Sequence, residues 1–302
     1  MPRRLVLLLA IASLAGLLAG SARASQLIDR DASAATLQAN TSGMALLTYM
    51  AHGQLHHVLA WGAINARAPV KGQEQVKFQL DYSGGWVFHK QLWKDFKNVC
   101  GPYTGPPLAW LVVACTMPDG SNWALQSWQR GLPNVGVPPR NKLQSAWELR
   151  LSHWNTDLAV LDIHVDWAYR KFDHLWGRYT YLGQPVYGFS STPRGAPLDS
   201  WGRLIYVDTY DSVYGQGWKR ENSFLTHNPT GVFCYGFYPN QSGGGKPAGT
   251  GQFYRATASG PGVTPDVFWQ SNAPGPYDKA KDAEANALQR EFFVGDRICK
   301  PN

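Results

Sequence analysis

The chain has 302 residues, of which 44% are hydrophobic and 16% charged, a balance that excludes a disordered tail and a coiled coil. The formal charge is +7, but the bases are scattered and are densest at Lys90, Lys94 and Lys97 and at Lys219-Arg220. A nucleic-acid surface needs a basic stripe, so no nucleic-acid partner is expected. The composition's loudest feature is 13 Trp.

Residues 1–24 read as a secretory leader. Arg3 and Arg4 precede the apolar run Leu5 to Leu18, and Ala22 and Ala24 supply the small residues that a signal peptidase reads. The run is short for a permanent anchor, and no second apolar segment approaches spanning length. The expectation is a secreted, extracytoplasmic protein with no membrane span after leader cleavage. Losing Arg3, Arg4 and Arg23 with the leader leaves only a small basic excess.

A polar, Ala/Ser-rich segment follows (25–40), and 41–302 reads as a single mainly β domain. The Pro/Gly-rich stretch 132–139 is the alternative boundary. Met44 to Met50 and His57 to Ile64 flank His52-Gly53-Gln54 as a hairpin. Val76, Phe78, Leu80 and Tyr82 alternate with polar residues as in a half-buried strand. Trp110 to Cys115 and Trp123 to Trp128 flank Met117-Pro118-Asp119-Gly120-Ser121, strong turn chemistry. Trp147 to Leu151 and Leu158 to Trp167 alternate again, and further runs fall at 179–181, 186–189, 204–210, 232–238 and 253–257. About a dozen short strands at this spacing predict antiparallel sheets packed as a sandwich or flattened barrel.

One helix is expected, at about 278–293. Asp278 can cap a run that gathers Ala280, Ala283, Ala287, Leu288 and Phe292 on one face, and Gly295 can end it. Its small-residue face is expected on a sheet edge. Export makes disulfides the default for Cys100, Cys115, Cys234 and Cys299. Cys100–Cys115 and Cys234–Cys299 keep each bridge local to one half of the chain, and no close Cys pair favours zinc.

The sequence holds no nucleophile elbow, His-Glu-x-x-His, phosphate loop, dinucleotide-binding glycines or helix–loop–helix calcium loop, so no cofactor or metal is expected. Two constellations remain. On a strand, Asp162, His164 and Asp166 share one face. If that strand pairs with the preceding one, Glu148 joins His164 in a row of acid and imidazole. The stretch from Asp208 to Tyr235 is rich in charged, amide and aromatic residues and reads as a recognition loop. Within it and just before it, Asp208, Glu221 and His227 are the catalytic candidates. Trp201, Tyr210, Tyr214, Trp218, Arg220 and Asn222 are the ligand-binding ones. An exposed ring matches the apolar face of a sugar, and Trp86, Trp154, Trp201 and Trp218 lie near turns or Gly. Trp110, Trp123, Trp147 and Trp167 fall on strand faces as core.

These features point to a non-catalytic protein that binds glycan or another cell-envelope polymer through exposed aromatics. A carbohydrate-active hydrolase or lyase is the alternative, with Glu221 and Asp208, or Glu148 and Asp166, as its carboxyl pair. A structural envelope or coat protein is the third reading.

Overall fold

Short alternating runs build 19 strands among the described residues of a computed structural model. Those residues are 25–70, 73–86, 93–129, 142–186, 190–191, 197–198, 205–212, 215–220, 231–236, 251–296 and 299. The leader, the stretch 132–139 and Trp201, Tyr214, Glu221, Asn222 and His227 lie outside them.

The first nine strands are β1 (Gln26–Arg30), β2 (Ser33–Ala39), β3 (Ala45–Ala51), β4 (Gln54–Trp61), β5 (Gln79–Asp81), β6 (Gly101–Pro102), β7 (Leu111–Thr116), β8 (Asn122–Trp128) and β9 (Glu148–Trp154). They form sheet 1, in the order β1-β9-β8-β7-β6, and sheet 2, in the order β2-β3-β4-β5. The expected hairpins at 52–53 and 117–121 are present. His52 and Gly53 both take positive φ, at 52° and 74°, the paired left-handed turn that suits the twist of antiparallel strands. The polar segment 25–40 is itself two strands. Its Ile28, Leu37 and Ala39 are buried in the core with Leu47, Tyr49, Val58, Trp123, Leu125 and Leu151. The strand read over 76–82 is shorter, only Gln79–Asp81.

The second group is β10 (Val160–Ala168), β11 (Phe172–Tyr181), β12 (Gln184–Pro185), β13 (Ser190–Ser191), β14 (Pro197–Leu198), β15 (Ile205–Ser212), β16 (Gly215–Arg220), β17 (Val232–Gly236), β18 (Phe253–Ala258) and β19 (Val267–Asn272). β11 is the centre of sheet 3, with β10 on one side and β12 and β17 pairing on it as well. Sheet 4 runs β16-β15-β18-β19, and β13-β14 is a separate ribbon. Sheets 3 and 4 share a second core of Ile163, Leu175, Tyr179, Tyr181, Val207, Phe233, Tyr254 and Ala256.

Two expectations about connectivity are corrected. β9 and β10 are not a hairpin: β9 lies between β1 and β8 in sheet 1, while β10 pairs with β11. β9 is buried from its second residue to its last, and two neighbours from its own half satisfy its edges. The stretch from Asp208 to Tyr235 is not one loop either, since it contributes the end of β15, all of β16 and part of β17. Polar side chains on one face of these strands hide a period-two pattern.

The C-terminal helix spans Lys279–Phe292. Asp278 caps it, its carboxylate accepting from the Ala280 and Lys281 amides. The helix lies on the face of sheet 3, not on an edge. Leu288, Phe292 and Phe293 pack with Trp176 and Val232, and buried Gln289 donates to Asp166. Both expected disulfides are present, Cys100–Cys115 and Cys234–Cys299.

Between the two halves lies a polar seam that includes His153. Its ring stacks on Trp123 with centroids 3.7 Å apart, Nδ1 donates to the Ala63 carbonyl at 2.8 Å and Nε2 lies 3.3 Å from Ser121 Oγ. Burial drives its pKa down from 6.5 to about 4. The unfolded imidazole therefore takes up a proton near pH 6.5 that the folded one refuses until about pH 4. The resulting stability is present above pH 6.5 and is lost as pH falls to about 4, a total of about 3 kcal/mol. Urea unfolding measured from pH 8 down to pH 4 should show this fall, and a His153→Gln variant should show a smaller one.

Candidate functional site

The face of sheet 4 turned away from the second core is built by alternation. Tyr206, Asp208 and Thr257 on it are buried, with Tyr206 against Trp128 of sheet 1, and its far row is open. Residues 206, 208 and 210 of β15 point one way, while Ile205 and Val207 enter the second core. Strand register then sets side chains in rows. Asp208 lies opposite Arg220 of β16 and Arg255 of β18, and Arg255 lies opposite Gln270 of β19. The next row is Trp218, Tyr210, Phe253 and Asn272. Tyr206, Thr257 and Phe268 form the third.

The middle row is an ion triplet. Arg220 Nε donates to Asp208 Oδ1 at 3.1 Å, and Arg255 Nε and Nη2 donate to Oδ2 at 3.2 and 2.9 Å. Trp110, just before β7, and Trp218 of β16 close over it. The Arg255 guanidinium carbon lies 4.1 Å from the Trp110 ring centroid and 4.3 Å from that of Trp218. Arg220 lies 5.0 Å from the Tyr206 ring and donates from Nη1 to the Gln129 carbonyl at 2.6 Å. Guanidinium planes stack well on aromatic faces. Burial pushes the Arg255 pKa down, against the pull of Asp208.

The outer row is open. Tyr210 and Phe253 are 36% and 43% exposed, Phe268 is 37% exposed, and Gln270 and Asn272 are exposed beside them. The Tyr210 ring meets Trp218 and Phe253 edge-on at 5.3 and 6.1 Å. Flat rings, amides and guanidiniums thus share one rigid sheet face.

The structure brings together Asp208, Tyr210, Trp218 and Arg220 from the sequence-derived candidates. It gives Asp208 a different role: both oxygens accept from guanidiniums, so neither is presented to a substrate as a catalytic carboxyl would be. Its proposed partner Glu221, with His227, Trp201, Tyr214 and Asn222, lies outside the described residues. Sequence reading missed Phe253, Arg255, Phe268, Gln270 and Asn272. The signal was the alternation Phe253-x-Arg255-x-Thr257 and Phe268-x-Gln270-x-Asn272, with aromatic and polar side chains sharing a face.

The other constellation is dispersed. Glu148 is in sheet 1, bound to Arg150 at 2.6 Å and Arg30 at 3.2 Å. Asp162, His164 and Asp166 do share a face of β10, but the C-terminal helix packs on His164 and Asp166, leaving Asp162 exposed. His164 stacks on Trp176 at 4.5 Å and meets Phe292 edge-on, with Asp162 3.3 Å from its Nε2. Asp166 is buried between His174 Nδ1, 2.8 Å away, and Gln289. The carboxyl pair Glu148 and Asp166 is therefore no catalytic dyad. These groups seat a strand and a helix.

Two tryptophan expectations also fail. Trp154 is 2% exposed under Leu108 and Ala124, while Trp147, at the strand entry, is 46% exposed. Trp86 is 67% exposed, as expected from its glycine-flanked position. Among the described residues, no group of three His, Cys, Asp or Glu is placed to hold a metal ion, and no helix is long and apolar enough to cross a membrane. A depression of about 250 Å³ lies between Arg178, Pro185, Glu291 and Phe292. Its one cation is engaged, stacked 4.0 Å over Phe292 and donating to the Glu291 carbonyl.

Comparison with known proteins gives no match, whether to a family model, to a curated protein or to a solved structure.

Proposed function

We propose that this is an exported, non-catalytic protein that binds a glycan or other cell-envelope polymer on the open outer row of sheet 4. The observation that carries the reading is the outer row, where Tyr210, Phe253 and Asn272 are exposed and half-buried Trp218 stands at the end. Aromatic rings pack against the apolar faces of sugars and exposed amides bond their hydroxyls, and a sheet holds both at fixed spacing. The leader-like residues 1–24 and the two disulfides support export.

Incubation of the oxidised protein with soluble and insoluble polysaccharides, peptidoglycan included, tests this. Protein is retained and no sugar is released. Tyr210→Ala and Phe253→Ala each weaken retention about two- to tenfold, the effect of losing one aromatic contact of about 0.5–1.5 kcal/mol. Unchanged retention by both folded variants sinks the assignment to this face. Released oligosaccharide would turn the reading to a hydrolase or lyase.

A further inference from the structure

The middle row of sheet 4 holds two guanidiniums against one carboxylate. Asp208 takes Arg220 Nε and Arg255 Nε and Nη2, and the Gln129 carbonyl takes Arg220 Nη1. Arg220 Nη2 and Arg255 Nη1 are left without a hydrogen-bond partner among the described residues. The two side chains retain 12% and 15% exposure, so a ligand on the outer row can reach them. Trp110 and Trp218 cover the Arg255 guanidinium and strip water from it. Asp208 offsets only part of that cost, and Arg220 adds like-charge repulsion. A second anion would complete the row.

We propose that the bound polymer is acidic, a glycan carrying carboxylates on its sugars. One carboxylate takes the open nitrogens of Arg220 and Arg255 while Tyr210 and Phe253 hold the apolar face of a neighbouring sugar. This rests on the glycan-binding reading and names its substrate class. One surplus positive charge matches a singly charged repeat, and the planar guanidinium matches a planar carboxylate.

Polygalacturonate and the same polymer fully methyl-esterified are the probes, titrated into the oxidised protein at low and high salt. Esterification removes the charge, keeps the sugar and leaves the protein untouched, so misfolding cannot imitate the result. The ester binds at least about tenfold more weakly, the loss expected for one charge-assisted hydrogen bond. Affinity for the acid falls with salt, and that for the ester does not. Arg220→Gln narrows the gap between the two. Equal affinity for both forms, or binding of neutral glycans alone, overturns the acidic preference and leaves the glycan reading standing. Binding of polyglycerol phosphate in place of polygalacturonate also overturns the carboxylate. Failure to bind any polysaccharide removes both.

Discussion

Replacing Asp266 by alanine is expected to lower the unfolding free energy by about 3–5 kcal/mol. The residue is fully buried. Its Oδ1 accepts from Ser25 Oγ at 3.1 Å and from the Gly260 amide at 3.0 Å, and its Oδ2 accepts from Trp128 Nε1 at 2.7 Å. Truncation leaves three donors in the interior with no acceptor. A buried unsatisfied polar group costs about 1–3 kcal/mol. The backbone of Asp266 adds two more links, its amide donating to Gln126 Oε1 and its carbonyl accepting from Gln126 Nε2, both at 2.9 Å. Alanine keeps these two, so the loss reports the carboxylate. The turn has little room to rearrange, because a Cβ at Gly260 would sit 2.0 Å from the Pro265 carbonyl oxygen. Asp266→Asn should lose less than alanine, since an amide still accepts at one oxygen but presents a donor to the other site. Urea unfolding of the three proteins at one pH checks the order. Equal midpoints for wild type and Asp266→Ala would show that these bonds carry no net stability.

The second large effect is expected at Cys234–Cys299. These cysteines are 65 residues apart, and closing a loop of that length in the unfolded chain contributes about 4 kcal/mol by chain entropy. The shorter loop of 15 residues at Cys100–Cys115 gives about 3 kcal/mol on the same argument. A Cys234→Ser, Cys299→Ser double variant should therefore unfold at lower denaturant than Cys100→Ser, Cys115→Ser. It should also loosen the C-terminal helix first. With the bridge gone, the helix is kept on sheet 3 by Gln289, Asp166 and the Trp176, Phe292 and Phe293 rings. Hydrogen exchange would then reach the amides of Lys279–Phe292 before those of β10 and β11. Simultaneous exchange of helix and strands would mean that side-chain packing, not the bridge, fixes the helix.

Much of the architecture was legible in the residues. Turn chemistry at His52-Gly53 and Pro118-Asp119-Gly120 located two hairpins, Asp278 located the helix start, and spacing paired the cysteines. What failed was long-range. Nothing local tells β9 to pair with β1, more than a hundred residues earlier, in place of β10, four residues beyond the turn. Strand adjacency in sequence is only a tendency. The same limit governed the site. Asp208, Tyr210, Trp218 and Arg220 lie within one hairpin and were found together, but Arg255 and Phe253 complete the rows from β18, and Trp110 arrives from the other half. The acid–imidazole motif of β10 showed the opposite failure. Its shared face was read correctly, yet the helix that packs on His164 and Asp166 lies more than a hundred residues downstream.

The seam at Asp266 has a consequence for how the chain acquires its structure. Gln126 and Trp128 belong to sheet 1, yet their buried polar groups are satisfied by residue 266. Val263 completes the first core, and Ala66 completes the second. A fragment ending after β9 would expose what the missing half covers, so neither half is equipped to persist alone. Contacts spanning well over a hundred residues also make for a high contact order and slow folding. The rows of sheet 4 are finished by Trp110 from the early half, so the face proposed for binding would be complete only late, with the whole chain and not with its own strands.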